Sequence, residues 1–432
     1  MDILILGCEL HESSSCVFES IGADKGSASQ LRLPVSFKNK VHIFHETAKT
    51  EFFENMLFIL SGARNSLQGE LNHYLDMLNR QDETYSKQAF SKGRQRIKPE
   101  AFKELVDNAV QTTYSVVQTQ TWNGFHLLAI DGSKYNLPSN PETNEVFGVQ
   151  VTSGAAQPQA LGSCLLDVLN GMIVDVRFGA CCDNERIHAA EMICHLNTAL
   201  ITNPLYIMDR GYPCSALMEL IGKLKQHYLM RCDKTFLSAV KFAGTDVVVT
   251  HKFVKGTEPV RFRIITITLP NGEKEYLVTN IFDSKFNEAT MAELYRMRWG
   301  IETKYNDLKG KLQIENFTGN TPIAICQDFY ATVYLANLAG VIALDYRDEI
   351  EAFHNSPENL HTYKLNVNLT ISALKQNVIE LLLADSRRRS SMILNKIALR
   401  LHSAVVPIRP GRSFDRKRQH KLSKYPQNRK LP

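Results

Sequence analysis

The sequence has no C-x-x-C pair, no Cys/His cluster at zinc spacing and no internal repeat. Its nine cysteines, at 8, 16, 164, 181, 182, 194, 214, 232 and 326, are therefore expected to be reduced thiols of a cytosolic protein. No uninterrupted apolar run reaches membrane-spanning length. The longest apolar stretch, "IAICQDFYATVYLANLAGVIAL" (323–344), contains Gln327, Asp328, Thr332 and Asn337, which suits a buried helix in a soluble protein, with no membrane partner. The opening "MDILILGCELHESS" lacks a positively charged n-region, so no signal peptide is expected. Acid is missing from two stretches. Thr84–Pro99 has Lys87, Lys92, Arg94, Arg96 and Lys98 and no Asp or Glu. Pro407–Pro432 has nine Lys or Arg and one Asp, a net of +8 in a chain of net +5, which leaves −3 for the rest. Such a tail suits an acidic partner such as nucleic acid, or simply solvation.

What is present describes an ordinary globular protein. The 432 residues are 44% hydrophobic and 22% charged, enough for two to four domains. Residues 1–43 carry no readable pattern. Residues 44–120 read as helices, because "FHETAKTEFFENMLFIL" and "EAFKELVDNAVQTTYSVVQ" repeat apolar residues at three and four. The basic stretch between them, with Lys92, Arg94 and Arg96, can grip phosphates or form a solvated face. Residues 121–233 read as α/β. "FHLLAIDGS" is a strand expected to end on Asp131, and "NPLYIMDRGYP" is another ending on Asp209. "CLLDVLNGMIVDVRFG" reads as a hairpin about Asn170-Gly171. Residues 234–285 read as a separate all-β piece. Residues 286–350 return to the α/β core, 351–406 are helical, and 407–432 form the basic tail.

The helix expected from about Asn287 contains "YRMRWGIETKYNDLKGKL". At 100° per residue, Tyr295, Arg298, Glu302 and Lys309 fall within a stripe of about 60° along about 21 Å. The stripe borders an apolar face made by Leu294, Ile301, Tyr305, Leu308 and Leu312. An Arg298–Glu302 pair at i, i+4 is an ordinary helix-surface feature. Cations around one carboxylate also suit a substrate that brings both phosphates and a metal ion. Two strand-end Asp residues in one sheet make the second reading more specific. Hard Mg²⁺ prefers carboxylate oxygens. Two such ions about 3.5–4 Å apart can activate an attacking oxygen and stabilise a leaving one in phosphodiester displacement.

"AIDGS", "YIMDRGY" and the spacing Y-x2-R-x3-E-x6-K together resemble the DDE transposases of bacterial insertion sequences, of the insertion-sequence-four type. The likeness covers about residues 84–432. It implies a ribonuclease-H-like core, interrupted by an all-β insertion and flanked by helical regions. It implies Asp131, Asp209 and Glu302 as catalytic, metal-binding residues for two Mg²⁺ ions, with Mn²⁺ as a substitute. Tyr295, Arg298 and Lys309 would correspond to residues that hold backbone phosphates. Cut-and-paste transposition of double-stranded DNA is implied, on terminal inverted repeats and target DNA, by a homodimer at the nucleoid. Some relatives stack an insertion Trp on DNA. Residues 234–285 have none, so Phe253, Phe262 or Tyr276 would have to serve. The basic tail, with Arg416, Lys417 and Arg418, would touch phosphates without sequence preference. Two rival readings are a metal-dependent nuclease or phosphatase and a catalytically silent DNA-binding relic.

Overall fold

The computed structural model describes residues 46–408 except 63–65, 153–154, 239–243, 254, 256–257, 270, 357 and 360. Residues 1–43 and the tail arginines and lysine at 416–418 thus lie outside the described residues. Helices α1 (Glu46–Leu60), α2 (Leu67–Met77), α3 (Lys87–Arg94) and α4 (Glu100–Val116) come first. Next are β1 (His126–Asn136), α5 (Pro141–Phe147), β2 (Val149–Thr152), β3 (Ala155–Asp167) and β4 (Met172–Ala180). Then α6 (Glu185–His195), β5 (Pro204–Met208), α7 (Ser215–Lys223) and β6 (His227–Cys232) alternate. A short helix α8 (Lys234–Ser238) precedes β7 (Asp246–His251), β8 (Val260–Thr268) and β9 (Lys274–Thr279). Helices α9 (Glu288–Met297) and α10 (Trp299–Asn306) lead into a π-turn, Asp307–Lys311. The chain continues through α11 (Pro322–His354), β10 (Tyr363–Leu365), α12 (Val367–Leu382), α13 (Arg387–His402) and β11 (Val405–Pro407).

These elements form two units. One contains residues 118–135 and 159–306. Its strands lie in the order β4-β3-β1-β5-β6-β9-β8-β7. Strands β1, β5 and β6 are parallel, with α6 and α7 as the crossovers between β4, β5 and β6. All five residues of β5 are buried, as expected of a parallel strand covered on both faces. Leu127, Leu205, Ile207 and Leu229 share one core with Ile265, Leu277, Met291, Leu294 and the ring of Tyr295. The expected hairpin is present: β3 and β4 pair across a turn in which Gly171 has φ 67°, a conformation open to glycine.

Three expectations need correction. First, β1 does not stop at Asp131. It runs on to Asn136, and only its parallel pairing stops there, at Ile130 opposite Met208. Second, residues 234–285 are neither separate nor all-β. Besides helix α8 they supply β9, which pairs antiparallel with β6 and so extends the same sheet. This pairing satisfies backbone groups that an open β6 edge would expose. Third, residues 287–312 are not one straight helix. Arg298 separates α9 from α10, and the π-turn closes with Leu312 N donating to Asp307 O at 2.9 Å. The wider turn removes Lys309 from the helical wheel on which its stripe position rests.

The other unit contains, among the described residues, 46–117, 136–158 and 307–408. Helix α11 is long and apolar enough to cross a membrane, yet 67% of its apolar window is buried inside the protein. Its polar residues have internal partners. Gln327 donates to the carbonyls of Arg94 and Ile97, and Asp328 accepts from Thr318 and Arg94.

Candidate active site

Asp131 and Asp209 each lie one residue beyond the last register pair, where the parallel pairing of β1 and β5 ends, although β1 itself runs on to Asn136. Open α/β sheets present ligands at that end. Asp131 Oδ1 accepts from the Gly132 N–H at 3.0 Å, and Asp209 Oδ1 accepts from Gly211 N at 2.7 Å. Burial pushes the Asp131 carboxyl up to about 7, and the neighbouring Asp209 adds to the rise, while Arg298 opposes it.

Helix α10 brings the third carboxylate. Arg298 Nη2 donates to Glu302 Oε1 at 2.8 Å, and Arg298 Nη1 lies 3.7 Å from Asp131 Oδ2. One guanidinium therefore bridges the strand carboxylate and the helix carboxylate. It also lies over the Tyr295 ring, 5.8 Å from its centre. Burial works against the Arg298 charge, but Tyr295, Glu302 and Asp131 together raise its pKa. Its Nε is buried without a hydrogen-bond partner. Tyr305 fixes α10 against the sheet. Its hydroxyl donates to the Asp131 carbonyl at 2.5 Å and accepts from Cys164 N at 3.2 Å. Gly300 allows close approach, because a Cβ there would meet Val168 at 2.8 Å.

A fourth carboxylate has no counterpart in the sequence reading. The Glu185 carboxyl lies over Gly132, where an added Cβ would be 2.6 Å from its Cδ. Glu185 starts α6 just after the Asn184 cap, and its charge acts on Asp131 and on the buried Tyr212 hydroxyl. Burial, then Glu185, Asp131 and Asp209, hold the Tyr212 pKa well above its ordinary value. A cap followed by Glu is a common helix start, so nothing in the sequence distinguished this residue.

The structure gathers Asp131, Asp209, Glu302, Arg298 and Tyr295 into one unit. Tyr295 is mostly buried, at 8% exposure, with its ring in the core. Lys309 belongs to the π-turn of the other unit, where burial lowers its pKa and Glu315 opposes the shift. Lys92 and Arg96 are exposed. Arg94 is not: at 3% exposure it pairs with Asp328 at 2.9 Å and donates to Gln327, Thr318 and the Ala324 carbonyl. Its guanidinium is used inside the protein, which corrects the expectation of a surface phosphate contact. Of the aromatics expected to replace an insertion Trp, Phe262 is fully buried and stacks on Phe253, while Tyr276 is half-buried. Trp299 is 53% exposed.

Among the described residues, no three His, Cys, Asp or Glu side chains already form a metal-holding group. The donor chemistry nevertheless fits a hard divalent cation. Burial first, and then the neighbouring Asp209, raise the Asp131 pKa, and a third carboxylate is held one guanidinium away.

Residues 125–338 match the family described as Transposase DDE domain. Transposase InsG for insertion sequence element IS4, from Escherichia coli (strain K12), is 26% identical over 269 residues, 58% of this chain and 59% of that protein. Putative transposase y4zB of Sinorhizobium fredii (strain NBRC 101917 / NGR234) is 26% identical over 159 residues, 34% of this chain and 44% of that protein. The chain thus spans less than two thirds of either relative. A cryo-EM piggyBac transposase synaptic complex with hairpin DNA aligns over 97% of this chain and 86% of its own, with TM-score 0.43 and 10% identity, too distant to fix the fold. The chain is thus similar to a transposase DDE domain over residues 125–338 and to an IS4 transposase over part of its length.

Proposed function

We propose that this chain is an insertion-sequence transposase with Asp131, Asp209 and Glu302 as its metal ligands. The observation that carries the reading is the placement of Asp131 and Asp209 beyond the same register pair of two parallel strands. The order β4-β3-β1-β5-β6 supports a ribonuclease-H-like core: a hairpin lies on one side of β1 and two helix-connected parallel strands lie on the other. Bound Mg²⁺, or Mn²⁺ in its place, would supply a Lewis acid and a more acidic water for phosphodiester displacement.

The protein's own groups hold that site together. Tyr305 fixes the Asp131 backbone, Gly132 and Gly211 orient the two Asp carboxylates, and Arg298 keeps Glu302 near Asp131. Arg298 is also proposed to face a DNA backbone phosphate. Tyr295, and Lys309 in the other unit, are each proposed as further backbone contacts from the Y-R-E-K spacing. The substrate would be duplex DNA carrying the element's terminal inverted repeats, nicked by water and then joined to target DNA by the freed 3′-hydroxyl. A homodimer on DNA, associated with the nucleoid, is the proposed working form.

The test uses purified full-length protein, Mg²⁺ and a duplex carrying the element's end. Asp131→Asn, Asp209→Asn and Glu302→Gln should each abolish nicking while the duplex still binds. Parental nicking by any of the three would remove that residue from the proposed set.

A further inference from the structure

Helix α13 and the chain beyond it concentrate positive charge. From Arg387 to Pro432 there are fourteen Lys or Arg and one Asp, a net of +13, so the remaining chain carries −8 of the +5 total. Five of those cations belong to α13, which contains no acid: Arg387, Arg388, Arg389, Lys396 and Arg400, all exposed.

Ile393, Leu394, Ile397 and Leu401 are buried, and α13 packs on α12. At 100° per residue, Arg388, Arg389, Lys396 and Arg400 lie together on the opposite side, within about 120°. Met392 and Leu399, 64% and 73% exposed, lie among them. Arg400 donates to Gln376, a neutral amide. Among the described residues, Arg388, Arg389 and Lys396 form no side-chain hydrogen bond or ion pair. Two of these cations, with Arg387, occupy the first turn, next to the Ser386 cap, where the helix dipole disfavours positive charge. A surface helix optimised only for stability would place acid there.

We infer that the outward face of α13 is a docking surface for the phosphate backbone of duplex DNA. Arg388 to Arg400 spans about 18 Å, the axial rise of about five base pairs at about 3.4 Å each, enough for its cations to reach different phosphates along one groove edge. Charge complementarity selects the partner, and the exposed methylenes of Met392 and Leu399 can lie against sugars between phosphate contacts. The inference rests on the DNA-acting reading above but uses none of the carboxylates.

The experiment compares full-length parent with Arg388→Gln/Arg389→Gln/Lys396→Gln, measuring affinity for a duplex of arbitrary sequence across a KCl series. Circular dichroism confirms that the variant is folded. The slope of log K against log[KCl] should become shallower by about 2–3, at about 0.9 per lost phosphate contact. An unchanged slope with normal parental binding overturns this surface and leaves the active-site reading standing. A parent that binds no duplex at low salt overturns both. If Leu399→Asp changes the oligomeric mass while the triple variant keeps its slope, the face joins protein copies and the inference fails. If Asp131→Asn still nicks DNA while the slope falls as expected, the active-site reading fails and the surface stands.

Discussion

Asp131 and Glu302 share one cation: Arg298 lies 3.7 Å from the first and 2.8 Å from the second. For Asp131, that guanidinium opposes the burial and the Asp209 charge that raise its carboxyl pKa.

Asp131 should therefore weaken the metal-free fold at neutral pH. Its folded pKa, about 7, lies above the ordinary carboxylate value, so the folded protein keeps the proton longer than the unfolded chain. The contribution is fully favourable below the unfolded pKa and is lost as pH rises through about 7. Asp131→Asn should melt higher than the parent in metal-free buffer at pH 8. The difference, on the order of 4 kcal/mol, should shrink as pH falls towards 4. Mg²⁺ should raise the melting temperature of the parent far more than that of the variant. Thermal melts across pH, with and without Mg²⁺, check both parts.

Tyr305→Phe removes one hydroxyl and leaves two backbone groups, Asp131 O and Cys164 N, without that partner. Denaturant titration should show a loss of about 1–3 kcal/mol. Because the same hydroxyl ties α10 to β1, nicking should fall more than duplex affinity.

Gly300→Ala places a methyl against Val168. The helix bearing Glu302 must then shift from the sheet, with an expected cost of about 1–3 kcal/mol. The same substitution at Gly310, which has nothing within 4 Å, serves as the control and should change stability far less.

Asp328→Asn leaves the Arg94 charge buried without its counter-ion. Removing one partner of a buried pair costs about 3–5 kcal/mol. Urea unfolding should show that loss. A loss comparable to that of a surface pair, under about 1 kcal/mol, would mean that water reaches Arg94.

Arg94 also shows where sequence reading stops. Between Lys92 and Arg96 it looks like one more cation of a basic stretch, but its partner lies 234 residues further along the chain. Polar residues in the apolar stretch 323–344 correctly indicated a buried helix, though not what they bind. The hairpin at Asn170-Gly171 and the helix start near Asn287 were legible because turn and helix-start signals are local. The apolar runs that lead into Asp131 and Asp209 were legible, but neither the continuation of β1 to Asn136 nor the register that makes the two residues neighbours was. Lys309 was misplaced because a helical wheel assumes uniform turns and the chain makes a π-turn. Glu185 and Tyr305 carry no motif, and their roles arise from tertiary packing alone. The 234–285 stretch read as separate because its edge with β6 cannot be seen in one dimension.

If Asp131 and Asp209 jointly hold a divalent cation, removing both carboxylates must remove its binding. Calorimetric titration of Mn²⁺ into the full-length parent and into Asp131→Asn/Asp209→Asn tests it most directly. The parent should bind saturably, and affinity should be at least about 100-fold weaker in the double variant, beyond what altering an outer ligand partner costs. Equal Mn²⁺ affinity in the two proteins would contradict it.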